Sequence, residues 1–155
     1  MRTYNNISTG QWSIMLPDDW HQKEGESPTG KAFYFEAGDE SKGAYISVWG
    51  RKDPATSVDE LAAFREGEVA RLHDMPDHRW EILVQGEKEQ DGVALSFADC
   101  LERGREYRIV CLGLTRYPWL VRISLHDYAC PDYAVSQEWF QPIINSFVAC
   151  PIPAA

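Results

Sequence analysis

Residues 80–127 read WEILVQGEKEQDGVALSFADCLERGREYRIVCLGLTRYPWLVRISLHD, and the rest of the chain is interpreted around them. Trp80, Ile82 and Val84 alternate with Glu81, Leu83 and Gln85, and the run continues outward in polar residues to Gln90. Asp91-Gly92 follows, a dipeptide suited to the positive φ angles of a two-residue hairpin turn. Val93, Leu95 and Phe97 then alternate with Ala94, Ser96 and Ala98, and a second turn is expected around Arg103-Gly104. Val110, Leu112 and Leu114 oppose Tyr107, Ile109 and Cys111. After Tyr117-Pro118, Trp119, Val121, Ile123 and Leu125 point one way while Leu120, Arg122, Ser124 and His126 point the other. Period two with short turns predicts a four-strand antiparallel meander.

Upstream, Gln11 to Leu16, Lys31 to Glu36 and Ala44 to Trp49 read as three further strands, and His21 to Gly30 as a polar loop. Ser57 and Glu60 form a capping box that opens a helix with apolar residues at Val58, Leu61, Ala62, Phe64, Val69 and Leu72. Met75-Pro76 closes it, because proline disfavours helical geometry in the residue before it. A second helix is expected from about Tyr133 to Phe147, capped by Asp132 or Ser136, with a kink or a fresh turn at Pro142. The class is therefore α+β: one domain over residues 1–155, with a largely antiparallel central sheet of about seven strands.

The chain has 155 residues, 44% of them hydrophobic, and a formal net charge of −9. That size and composition support one core of its own. The charge disfavours unassisted binding to nucleic acid or anionic lipid and is compatible with a basic protein partner. No stretch is apolar over the length that crosses a bilayer, and the first residues start no apolar run, so a cytoplasmic protein without membrane insertion is expected. Cys100, Cys111, Cys130 and Cys150 are widely spaced, which predicts buried reduced thiols instead of zinc ligands.

No catalytic constellation stands out. His73, Asp74, Asp77 and His78 carry the residue types of a metal-assisted hydrolase, but their spacing does not stack two imidazoles on one helical face. No serine has a nucleophile-elbow setting and no glycine-rich stretch has a phosphate-binding pattern, so neither catalytic residues, metal ligands nor a cofactor is assigned. Arg103, Arg105 and Arg108 form a basic cluster at a hairpin tip, interleaved with Glu102 and Glu106. Trp12, Trp80, Trp119 and Trp139 are in phase with apolar neighbours, as core residues are. Tyr45 and Trp49 share one face of their strand, and Arg122 and His126 share the polar face of the last. Where those faces coincide uncovered, they make an aromatic and arginine surface of the kind enriched in protein interfaces. Tyr45, Trp49, Arg122 and His126 are thus the predicted partner-binding residues.

Gly10-Gln11-Trp12-Ser13-Ile14-Met15-Leu16-Pro17-Asp18-Asp19-Trp20 resembles the opening strand and Pro-x-x-Trp turn of bacterial DcrB-like proteins. Gly43 to Val48 resembles their next strand, and Phe140-Gln141-Pro142-Ile143-Ile144-Asn145-Ser146-Phe147 their closing helix. The wider grouping is the PsbP-like superfamily, which also holds the Ran-binding Mog proteins. The resemblance implies a central antiparallel sheet with helices packed on both faces. It also implies binding in place of catalysis, since members act as extrinsic subunits, GTPase-binding factors or chaperones of secretion-system effectors. Residues 21–26 depart from the threonine-containing strand that follows Pro-x-x-Trp in those chaperones. The expected function is a small protein-binding module, an adaptor, effector chaperone or immunity-type protein using one sheet face. The alternatives are a metal-assisted hydrolase centred on His73 and His78, and a structural subunit of a larger assembly.

Overall fold

A computed structural model of the chain describes residues 2–23, 32–50, 58–90 and 93–149. In chain order the elements are β1 (Tyr4–Ser8), β2 (Trp12–Pro17), β3 (His21–Lys23), β4 (Ala32–Glu36), β5 (Lys42–Gly50), α1 (Val58–His73), β6 (Trp80–Gln90), β7 (Val93–Glu102), β8 (Tyr107–Arg116), β9 (Trp119–Asp127), α2 (Tyr133–Ser146) and β10 (Val148–Ala149). The large sheet has seven strands in the order β3-β4-β5-β9-β8-β7-β6, every neighbouring pair antiparallel. The 80–127 meander supplies four adjacent strands of it, and β5 adds to the outer edge of β9. A 3-10 turn at Arg103–Arg105 makes the second hairpin, with Glu106 in the left-handed region. The Asp91-Gly92 turn, the Ser57 cap, Cys150 and the Pro151–Pro153 tail lie outside the described residues.

The sheet's two faces follow from the register. Ala44, Leu125, Val110 and their row-mates Ile46, Ile123 and Leu112 face α2. Trp12, Ile14 and Leu16 of β2 join them, and Phe140 and Ile143 of α2 complete this core with no exposure at all. Each such side chain contributes about 1.5–3 kcal/mol on burial. On the opposite face, Trp80, Ala98, Cys100, Ile109 and Cys111 form a smaller cluster beneath Leu72 of α1. Gly113 leaves room for that helix: a Cβ there would come within 2.8 Å of Ser96 Oγ and 3.4 Å of Leu61.

Three strands escape the sequence pattern. β1 and β10 flank β2 in a separate three-stranded sheet, so the Gln11–Leu16 strand stands beside α2 and not in the central sheet. His21–Lys23, expected as loop, is the seventh strand of the large sheet, a short edge whose side chains are all exposed. Such a strand has no apolar side to alternate, and its ladder to β4 is carried by backbone groups. A bulge between Ile82 and Val84 shifts β6 by one residue and turns Val84 from the Trp80 face to the α2 face. Asp132 caps α2, accepting from the backbone N–H groups of Ala134 and Val135 at 3.0 and 3.3 Å. The helix runs on through Pro142.

Candidate functional site

α1 lies across β6, β7 and β8, and among the described residues the part of the same face formed by β4, β5 and β9 is left open. The helix is held by an ion pair that sequence patterning places on its polar side. Glu68 is buried despite its charge, because positions 61, 64, 68 and 72 share the packed stripe of a 3.6-residue helix. Arg122 reaches it from β9: Nη2 donates to Glu68 Oε2 at 2.8 Å, while Nε sits 2.6 Å from Oε1 without hydrogen-bond alignment. Arg71 adds a second contact to Glu68 at 2.7 Å. Burial works against the Arg122 charge, and the Glu68 contacts more than offset it, so the guanidinium is held ionised.

In the open part of the face, Tyr45, Arg122 and His126 meet in a cleft of about 400 Å³ whose wall also includes Ser47, Tyr107, Ser124 and Tyr128. Three of the four predicted residues are thus brought together. Trp49, the fourth, turns to α1 and packs edge-to-face on Phe64 with ring centroids 5.8 Å apart. The cleft is largely aromatic. Tyr34 stacks on Tyr45 at 4.3 Å, Tyr45 meets His126 edge-on at 5.0 Å, and His126 stacks on Tyr128 at 5.7 Å. Gly43 makes this possible, since a Cβ there would lie 3.1 Å from both the Tyr128 hydroxyl and the Tyr34 ring.

His126 is the centre of the arrangement. Nδ1 is 2.6 Å from the Tyr107 hydroxyl and Nε2 is 2.9 Å from Ser124 Oγ. A neutral imidazole donates from one nitrogen and accepts at the other, so these two hydroxyls satisfy it fully. Burial pushes its pKa down to about 4, with the Arg122 charge acting in the same direction. Burial also raises the Tyr107 phenol, and raises Tyr128 to about 12. Tyr34 is raised by burial and by its 2.6 Å hydrogen bond to Glu36, which in turn lowers that carboxyl. At neutral pH the imidazole and these phenols are uncharged. The chemistry on offer is aromatic contact and hydroxyl hydrogen bonding. Residue-by-residue reading missed Tyr34, Tyr107, Ser124 and Tyr128; the β4–β5 and β5–β9 registers, which set Tyr34 opposite Tyr45 and Tyr45 opposite Ser124, are the signal that locates two of them.

The other clusters disperse. His78 stacks on Trp80 and its Nδ1 lies 2.9 Å from the Pro76 carbonyl, while His73 borders a different hollow beside Arg65 and Glu66. Among the described residues no three His, Cys, Asp or Glu side chains converge on a metal-sized space. Arg108 is not at the hairpin tip with Arg103 and Arg105. It is buried on the α2 face, paired with both Asp99 oxygens at 2.9 and 2.8 Å and donating to Ser136 at 2.9 Å, and Tyr133 donates to the same carboxylate at 2.5 Å. Arg103 instead pairs with Glu81 at 2.8 Å. Cys100, Cys111 and Cys130 are free and buried; burial pushes the Cys100 thiol up to about 12. No helix among the described residues is long and apolar enough to cross a membrane.

A seven-stranded antiparallel sheet carrying one helix on one face, and a helix plus a small sheet on the other, is the PsbP/Mog1-like fold. The solution structure of cyanobacterial PsbP (CyanoP) from Synechocystis matches with a TM-score of 0.73 over 96% of this chain and 94% of that one, at 12% identity. The Ran-binding protein Mog1p of Saccharomyces cerevisiae matches with a TM-score of 0.61 over 97% of both chains, at 11% identity. At such identities the likeness is one of fold. In sequence the chain is similar to a vacuolar protein sorting/targeting protein 10 from Phaeosphaeria nodorum, 28% identical over 140 residues. That match takes in 90% of this chain and only 8% of the much longer relative. No family model matches the chain.

Proposed function

We propose that this protein is a non-catalytic protein-binding module that docks a partner on the open part of the sheet, through Tyr45, His126 and Arg122 with Tyr34, Tyr107 and Tyr128. The observation that carries this reading is the aromatic cleft of about 400 Å³ that the described residues leave uncovered beside α1. Tyrosine and arginine dominate the energetics of protein interfaces because they bury large area with few rotatable bonds. Tyr45 is 39% exposed, so its ring is available while its stacking on Tyr34 restrains it. The fold is shared with a Ran-binding protein, Mog1p, which supports binding as the kind of function this architecture carries. The net charge of −9 favours a basic partner. Adaptor, effector chaperone and immunity-type protein are the roles of this kind, in a cytoplasmic setting.

The test compares capture of partners from the native lysate by wild type and by Tyr45→Ala, with circular dichroism verifying that both are folded. A partner retained by wild type and lost by the variant, yet kept by Trp49→Ala, supports docking in the cleft. A partner held equally by all three proteins overturns it. Co-purification of a stable stoichiometric complex that survives Tyr45→Ala would instead favour a structural subunit.

A further inference from the structure

β6 is the outer strand of the large sheet: it pairs with β7 and has no second neighbouring strand among the described residues. Beyond the bulge its pairing is regular from Val84 to Gln90, and successive side chains point to opposite faces. On the α2 face it presents Val84, Gly86 and Lys88. Val84 and Lys88 border a groove of about 320 Å³ with Leu95, Phe97 and Ile144 among its apolar walls. Val84, 53% exposed, stands at its rim. On the α1 face the same strand presents Gln85, Glu87 and Glu89. Gln85 and Glu87 border a second hollow, of about 570 Å³, to which α1 contributes Glu66 and His73. Arg65 is drawn inward there onto Glu87 and Gln85. One side of this edge therefore borders an apolar groove rimmed by Lys88, and the other carries Glu87, paired with Arg65, and the exposed Glu89.

We propose that the free edge of β6 takes an extended segment of a partner protein, added to the sheet as an eighth strand. Its apolar side chains turn toward the Leu95–Phe97 groove, and its lysine or arginine side chains lie along the exposed Glu89. Backbone hydrogen bonds to the edge supply affinity in this mode, and the alternating side chains supply selectivity. A second copy of this chain does not fit, because two β6 strands side by side would bring Glu81, Glu87 and Glu89 of one against those of the other. The site stands apart from the tyrosine cleft, at the far edge of the sheet from β4, and does not depend on it.

The probe is the synthetic peptide Lys-Val-Lys-Val-Lys-Val-Lys, compared with its glutamate counterpart and with a copy of the lysine peptide methylated at alternate backbone amides. Binding is followed by fluorescence anisotropy, and its position by amide hydrogen exchange. The expected result is saturable binding of the lysine peptide with new protection at the outward amides of β6. Binding should weaken about tenfold in Val84→Lys and in Glu89→Lys, both exposed positions whose substitution spares the core, and be unchanged in Tyr45→Ala. The glutamate and methylated peptides should bind at least about tenfold more weakly. Protection away from β6, equal binding of the glutamate or methylated peptide, or no binding at millimolar peptide would overturn the proposal.

Discussion

Gly43 sits beneath two tyrosines, and its missing side chain is what allows them to close on the sheet. With a Cβ only 3.1 Å from the Tyr34 ring and the Tyr128 hydroxyl, Gly43→Ala must push one or both outward. We expect a cost of about 1 kcal/mol in urea denaturation and a larger loss of partner binding, since the cleft would change shape. Trp49→Ala should do the reverse, losing about 2 kcal/mol through its contact with Phe64 while the cleft keeps its form. His126 makes a pH prediction. Its folded pKa near 4 lies below the ordinary 6.5, so the unfolded chain takes up the proton first as pH falls. The stability tied to the neutral imidazole is complete above about pH 6.5 and is lost progressively toward about pH 4, by up to about 3 kcal/mol. His126→Gln, which does not titrate, should lose correspondingly less across that window when denaturation midpoints are compared. Identical pH dependence in the two proteins would mean that His126 is not the buried neutral group described here.

At the next level, charged groups packed between layers anchor each helix to the sheet, through an ion pair for α1 and through hydrogen bonds to an ion pair of β7 and β8 for α2. Glu68 with Arg122 holds α1, and Asp99 with Arg108 and Tyr133 holds α2. Removing one partner of a fully buried pair costs about 3–5 kcal/mol, because the other is left charged and unpaired. Arg122 keeps 23% of its side chain exposed, so Glu68→Gln should cost less, about 2 kcal/mol. Arg108, only 3% exposed, should make Asp99→Asn the more damaging, near about 3 kcal/mol. A double-mutant cycle on Glu68 and Arg122 should show clear non-additivity, whereas Glu68 and Asp99, on opposite faces, should add. None of these pairs is legible from patterning. Glu68 has the residue type of a solvated helix face, and Arg108 sits two residues beyond a charged turn. The elements that carry them are legible: the 80–127 strands, α1 and α2 all emerge from their apolar periods, whose burial drives their formation. β1, β3 and β10 do not, since short or polar strands are created by backbone pairing to neighbours that are remote in sequence.

Considered across both sheets and both helices, the candidate surface is what the helices leave bare. α1 covers β6–β8, and α2 with the small sheet takes the opposite face, so neither helix covers the polar side of β4, β5 and β9. Tyr45→Ala should therefore abolish partner binding at a stability cost of about 1 kcal/mol, a ratio that a core aromatic would reverse. The period-two alternation of residues 80–127 already dictates an antiparallel meander, because only one phase of each strand can be buried. It also places Tyr45, Arg122 and His126 on polar faces, and the acidic balance bears on the choice of partner. Which of those faces stays open was decided by tertiary structure alone. Helix placement depends on close contacts such as Gly113 beneath Leu61 and on the Glu68–Arg122 pair, and these join residues 52 and 54 positions apart. The same long-range packing drew Trp49 away to Phe64 and gathered Tyr34, Tyr107, Ser124 and Tyr128 around His126. Strand register, a property of pairs of distant segments, has no local trace in the order of the amino acids.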